Sequence, residues 1–437
     1  MSNFLEVQMG KYDKGDTSWF THDRFGMFIV WGLYSMAARH EWVRNFEQMS
    51  DDEYQKYFDL FNPDMFNPKE WAKAAKAAGM TYFVITTKHH EGFCLWDSKW
   101  TDYKAPNTPI GKDLLREVVD AFRAEGLHVG FYYSLIDWHH PDFTLDRIHP
   151  MRNRAKPEEF NKGRNMKRYA KYIRDQVTEL LTNYGKVDII WFDFSYPGEN
   201  GKGHDDWESE KLVKLVRKLQ PGIMINNRLD LPGAEDFVTP EQYTPDKGMT
   251  DKNGNPIVWE ACHTFSGSWG YHRDEASWKS TKMCVEMLIN HVSRGGNLLM
   301  NVGPTSRGYI DQRAMDCLAA YAFWMKYNAR SIYGCGQAPA EFVAPSDCRY
   351  TYNAETKRLY LHFFSWPFKH IHLPGLADKV KYAQLLCDGS EIKFRTSGSA
   401  VHTALNSTSP EDALTLELPV VLPQSAGEVP VVELFLK

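Results

Sequence analysis

Seven near-continuous apolar runs recur along the first three-quarters of the chain, and a stretch with helical spacing follows most of them. The runs read FGMFIVWG (25–32), TYFVITTKHH (81–90), HVGFYYSLIDW (128–138), VDIIWFDF (187–194), GIMINNR (222–228), PIVWE (256–260) and NLLMNVG (297–303). Little polar alternation interrupts them, as expected of parallel strands covered on both faces. Between them, NPKEWAKAAKAAGM (67–80) sets Trp71, Ala75 and Ala78 at helical spacing, and KDLLREVVDAFRAEG (112–126) stops on Gly126, a good residue to end a helix. Further helices are expected over 158–184, 207–222, 276–293 and 311–327. Such a rhythm makes a (β/α) barrel or an open doubly wound sheet. No GxGxxG or P-loop follows the first run, which weakens the nucleotide-binding version. After residue 338 the pattern changes to short alternating stretches: RYTYNAETKRLYLHFF, KYAQLLCDGSEIKFR, ALTLELPVVLP and VVELFLK. The expected organisation is a strand–helix domain over 1–337 and an antiparallel β-sandwich over 338–437.

The net charge of −5 leaves no basic footprint for nucleic acid. No apolar run reaches the ~18 residues of a membrane span. The opening MSNFLEVQMGKYDKGDTSWF lacks the apolar core of a secretory signal. The 7 Cys are scattered with no CxxC, which suits reduced thiols. A cytoplasmic location is expected, unless a leader precedes this chain in the native protein. The 14 Trp and 22 Tyr suit either an aromatic-rich core or a surface for sugars.

In a barrel, chemistry gathers at the carboxyl ends of the strands. The residues there are Glu41 and Trp42 after the first run, His89, His90 and Glu91 after the second, and Asp137 to His140 after the third, with Tyr132 inside it. Asp193 ends the fourth run, Asn226 to Arg228 end the fifth with Glu241 in the loop beyond, and Glu260 and His263 follow the sixth. Aromatics interleave with them, Trp191 and Trp269 among others.

Two chemistries fit such a rim. A metal-assisted hydrolase is suggested by the His pairs, but neighbours on a strand point to opposite faces, and there is no HxH on the first run and no HExxH. A catalytic metal is therefore not expected. Glycoside hydrolysis needs two carboxylates, hydroxyl-binding donors and an aromatic wall. Asp193, Glu241, Glu260, Glu41 and Glu91 are the candidates. Asp193 ends a dry strand, and a rigidly placed carboxylate suits a nucleophile.

The ordered motifs MFIVWGLYS, KHHEGFCLWDS, GFYYSLIDW, IIWFDF, SWGYHRDE, GGNLLMNVGP and SIYGC resemble those of the α-L-fucosidases, glycoside hydrolase family 29. The resemblance spans both halves of the chain. It implies a (β/α)8-like (TIM-type) barrel with a C-terminal β-sandwich, no cofactor, and a retaining double displacement on a terminal α-L-fucose. It makes Asp193 the nucleophile and, in DFVTPEQYTP, Glu241 the acid/base, with Glu260 of VWEACHTF as the alternative. It implies that Glu41, Trp42, His89, His90, Tyr132, Trp191, Arg228 and Trp269 form the sugar pocket. The expected partner is a fucosylated oligosaccharide or glycoconjugate. Two positions depart from the family pattern. Val30 stands where FIHWG has a His, and Phe194 stands where a Gly often follows the nucleophile. The first departure keeps open a related sugar, and a non-catalytic carbohydrate-binding homologue is the other alternative.

Overall fold

Each of the seven apolar runs carries a strand or leads into one. A computed structural model describes residues 12–396 and 412–437. The strands are β1 (Phe25–Ile29), β2 (Tyr82–Lys88), β3 (His128–Ser134), β4 (Ile189–Asp193), β5 (Met224–Ile225), β6 (Glu260–Thr264) and β7 (Asn297–Val302). They pair in the order β5-β4-β3-β2-β1-β7-β6, and every pairing is parallel. All but His128 of β3 are buried, so the near-continuous apolar character reflects cover on both faces.

The curled sheet is completed by a segment that is not a regular strand. Between β5 and β6, residues 236–242 form parallel bridges to both sides: Asn226 with Phe237, Val238 with Trp259, and Glu241 with Cys262. Asp236 N–H donates to Ile225 O at 2.8 Å, and Cys262 N–H donates to Pro240 O at 3.1 Å. This irregular stave, which carries Glu241, takes the eighth place of a (β/α)8-like barrel.

Helices cover the outside for the reasons legible in their sequences. Pro68–Ala77 opens on a Pro at its first turn, buries Trp71, Ala72 and Ala75, and ends before Gly79 at φ +83°. Leu114–Ala124 is capped by the Asp113 side chain and buries Leu114, Leu115, Val118, Val119 and Phe122. Ser209–Leu219, Thr281–Val292 and Gln312–Asn328 follow. The expected long helix over 158–184 is two, Pro157–Phe160 and Met166–Asn183. Gly163 at φ +82° breaks it, and the Asn165 side chain caps the second piece. The sixth strand also differs. It begins at Glu260, where the run PIVWE ends, because its pairing with β7 begins there, Glu260 opposite Asn297; just before it Val238 N–H donates to Val258 O at 3.0 Å.

Beyond the barrel, β8 (Cys348–Asn353), β9 (Arg358–Phe363), β10 (His370–Leu373), β11 (Val380–Leu385), β12 (Lys393–Thr396), β13 (Leu414–Glu417) and β14 (Val431–Leu436) form two antiparallel sheets, β11-β14-β9-β8 and β10-β13-β12. Leu359, Leu361, Val432 and Leu434 of one pack with Leu373, Leu414 and Leu416 of the other in a separate buried core. The sandwich seats on the barrel through Trp324 Nε1–H to Val429 O at 2.7 Å and Thr351 Oγ1–H to Ser331 O at 2.6 Å.

Candidate active site

One cavity at the carboxyl ends of the strands, about 420 Å³ and open to solvent, is lined by Val30, Glu41, Trp42, His89, His90, Tyr132, Trp191, Asp193, Phe194, Arg228, Glu241 and Trp269. Every pocket residue expected from the sequence is brought together there except the alternative acid/base, Glu260. Phe28 and Cys262 complete the wall. Strand parity signals Phe28, which lies on β1 two residues before Val30, since extended residues two apart share a face; no such signal marks Cys262, because Glu260, two before it on β6, is outside the wall.

The nucleophile candidate is held by both oxygens. Asp193, the last residue of β4, accepts Tyr132 Oη–H on Oδ2 at 2.7 Å. It accepts Arg228 Nη1–H on Oδ1 at 2.9 Å. Burial and the Asp193 charge push the Tyr132 phenol well above its usual pKa, so it stays a donor. The same Arg228 Nη1 lies 2.7 Å from Glu241 Oε2. The two carboxylates therefore share one nitrogen, and their oxygens can be no farther apart than the sum of these two distances. Arg228 is fixed from a third side by Nε–H to Thr239 Oγ1 at 3.0 Å and lies over the Trp191 ring at 4.4 Å. The Asp193 and Glu241 charges raise its pKa despite burial. Glu241 is exposed at the mouth of the pocket.

The His pair reaches one cavity for a reason sequence alternation does not reveal. The β2–β3 register shifts between Thr86 and Lys88, a bulge of the kind found beside active sites. Lys88 then turns into a cage of Tyr133, Tyr169 and Tyr172 and pairs with buried Asp137 at 3.3 Å. The strand ends there, and His89 and His90 follow in a turn closed by Gly92 N–H to His89 O at 3.0 Å. Both rings can then face inward. Ser134 Oγ–H donates to Ile136 O at 2.8 Å, so His90 Nδ1–H donates to Ser134 Oγ at 2.7 Å. This leaves His90 Nε2 as an acceptor, 4.0 Å from Asp193 Oδ2. Burial, with His89 and Lys88 nearby, pushes the His90 pKa well below its usual value, so the ring is neutral.

Glu41 is buried and takes the backbone N–H groups of Trp269 (3.2 Å) and Gly270 (2.9 Å) on Oε2. Its Oε1 lies 3.3 Å from His40 Nδ1. Glu91 is not in the cavity wall; it lies buried behind His89, 3.5 Å from Nδ1. Trp191 stacks on Tyr132 at 5.6 Å, and Phe28 packs against both Trp191 and Trp269.

Phe194 has a left-handed backbone, φ +78°. A Gly takes that conformation without strain, whereas an L side chain costs roughly 1–2 kcal/mol. Its ring is held by Trp42, His90 and Tyr196 at centroid distances of 5.2, 5.1 and 5.5 Å.

Glu260 is displaced from the role considered for it. It is the first residue of β6, so it sits at the amino end of the strand and not on the catalytic rim. It is fully buried and outside the cavity wall. Its carboxyl accepts Tyr82 Oη–H at 2.6 Å and Trp191 Nε1–H at 3.3 Å.

Two closely spaced carboxylates in an aromatic-lined pocket on a (β/α)8-like barrel are the arrangement of a glycoside hydrolase, and the bound on their oxygens is shorter than the separation of an inverting pair. The α-L-fucosidase family model matches residues 7–330. Human plasma α-L-fucosidase is 30% identical over 382 residues, 80% of this chain and 76% of that protein. Human tissue α-L-fucosidase is 28% identical over 445 residues, 94% and 86% of the two chains. Among solved structures, α-L-fucosidase isoenzyme 1 from Paenibacillus thiaminolyticus is similar with a TM-score of 0.88 at 48% identity, covering 96% of this chain and 98% of that one. A Bacteroides thetaiotaomicron GH29 α-L-fucosidase, trapped as a covalent intermediate, gives 0.82 at 28% identity over 99% of each chain. The chain belongs to the α-L-fucosidase family, glycoside hydrolase family 29. It is a retaining hydrolase that releases α-L-fucose.

Proposed function

We propose that Asp193 is the nucleophile and Glu241 the acid/base, acting on terminal α-L-fucose of fucosylated oligosaccharides or glycoconjugates. The observation that carries this is the single Arg228 nitrogen bonded to Asp193 at 2.9 Å and paired with Glu241 at 2.7 Å. It fits the ~5–5.5 Å separation of a retaining pair and not the roughly 6.5–9.5 Å that leaves room for water in an inverting one.

Asp193 Oδ2 or Oδ1 attacks the anomeric carbon as the glycosidic C–O bond breaks. The leaving oxygen takes the proton carried by Glu241, and a covalent fucosyl ester of Asp193 forms. Glu241, now a carboxylate, removes a proton from water. That water attacks the anomeric carbon, and the ester bond electrons return to Asp193. Glu241 must give up its contact with Arg228 to hold the glycosidic oxygen, while Arg228 remains on Asp193. In this reading Glu41 and the acceptor nitrogen of His90 bind sugar hydroxyls, and Trp191, Phe28 and Trp269 pack against the ring and its methyl.

The test is Asp193→Gly assayed on an aryl α-L-fucoside with and without azide. Loss of turnover, with the inverted β-L-fucosyl azide formed on rescue, is expected. Wild-type turnover in this variant ends the assignment.

A further inference from the structure

We propose that Glu260 is a positioning residue that holds the Trp191 indole as the plane against which both donors to Asp193 are set. The proposal rests on Asp193 being the nucleophile. Trp191 Nε1–H donates to Glu260 Oε1 at 3.3 Å, which fixes the rotation of the ring. One neighbour of the ring is the Arg228 guanidinium at 4.4 Å, and another is the stacked Tyr132 ring at 5.6 Å. These are the two side chains that hydrogen-bond the oxygens of Asp193. Glu260 touches neither the cavity nor Asp193, so it acts through Trp191 alone.

The carboxyl sits in dry surroundings. Tyr82, the first residue of β2, donates to its other oxygen at 2.6 Å. Cys262 is a further titratable neighbour, on its own strand. Beyond Tyr82 lie the charge of Asp23 and the Asn297 amide of β7, and Arg24 Nη1–H reaches Asn297 Oδ1 at 3.4 Å. Burial raises the Glu260 pKa to about 7, against the opposing hydrogen bonds from Tyr82 and Trp191. Below that pH the carboxyl is neutral and a weaker acceptor for the indole; above it the carboxylate grips Trp191 more strongly. Positioning of Arg228 and Tyr132 should therefore improve as pH rises through about 7.

The test compares kcat and KM against pH for wild type, Glu260→Gln, Glu260→Ala, Trp191→Phe and the Glu260→Ala/Trp191→Phe double variant, on an aryl α-L-fucoside. Glu260→Gln keeps an acceptor for the indole and turns its amide N–H toward the Tyr82 hydroxyl, which then accepts in place of donating. It should retain kcat within about threefold while losing the inflection near neutral pH. Glu260→Ala should lower kcat at least tenfold with KM little changed, and should add little once Trp191 is Phe. An inflection that persists in Glu260→Gln, or full additivity in the double variant, overturns the proposal. If Glu260→Ala does not fold, Glu260→Gln and Trp191→Phe decide alone. Azide rescue of Asp193→Gly is independent of these variants, so failure of the nucleophile assignment is read separately.

Discussion

Tyr132 donates its phenolic hydrogen to Asp193 Oδ2 across 2.7 Å. In the proposed double displacement Asp193 attacks as a carboxylate, is held as a neutral fucosyl ester, and leaves as a carboxylate again. Removing the donor therefore slows departure of Asp193 more than its attack. A hydrogen bond to a charged group is worth about 1.5–3 kcal/mol, roughly 10- to 100-fold in rate. Tyr132→Phe should lower kcat by that factor and kcat/KM by less. The covalent intermediate should accumulate and appear as a pre-steady-state burst of aryl alcohol. Equal losses in kcat and kcat/KM, with no burst, would sink this account.

Phe194 at φ +78° is where backbone cost and side-chain gain meet. Phe194→Gly removes strain of roughly 1–2 kcal/mol and also loses the contacts with Trp42, His90 and Tyr196. The side chain is only half-buried, so the two effects should offset within about 1 kcal/mol. The melting temperature should stay within a few degrees of wild type. Trp42 and His90 lose a wall, so KM for a small fucoside should rise about tenfold with kcat little changed. An unaltered KM would mean that the ring does not shape the sugar pocket.

The barrel strands were legible because buried parallel strands leave apolar runs; the pocket set was implied by the family resemblance, and its polar residues were also marked by where those runs end. Asp193 stood out for this reason. Glu260 was misread for the same reason. An apolar run shows that a strand is near but not where pairing begins, and a shift of four residues moves a carboxylate from the rim to the opposite end of the barrel. Alternation set the His89–His90 pair against a shared metal site, and it assumes an unbroken strand. The bulge at Thr87 and the turn after Lys88 depend on pairing with β3, which one strand's sequence does not encode. The stave carrying Glu241 has too little apolar content to read as a strand, and it is held by neighbours on both sides. The long helix over 158–184 failed at Gly163 and Asn165, a break that helical periodicity on either side conceals.

Val30 departs from the family pattern inside the pocket. It lines the cavity beside Phe28, Glu41 and Trp269 and offers no side-chain hydrogen bond. A sugar hydroxyl directed at it loses the partner it had in water, at about 1–3 kcal/mol. A histidine there would project into the open cavity and not into packed protein, so Val30→His should fold. It should lower KM for an aryl α-L-fucoside by up to about tenfold, and raise the preference for the fucoside over a matching 6-deoxy-α-L-hexoside epimeric at a ring hydroxyl. The measurement is kcat/KM for both glycosides in wild type and variant. If Val30→His folds and leaves the ratio of the two unchanged, the wall at residue 30 does not select the sugar, and the altered-specificity reading of this position falls with it.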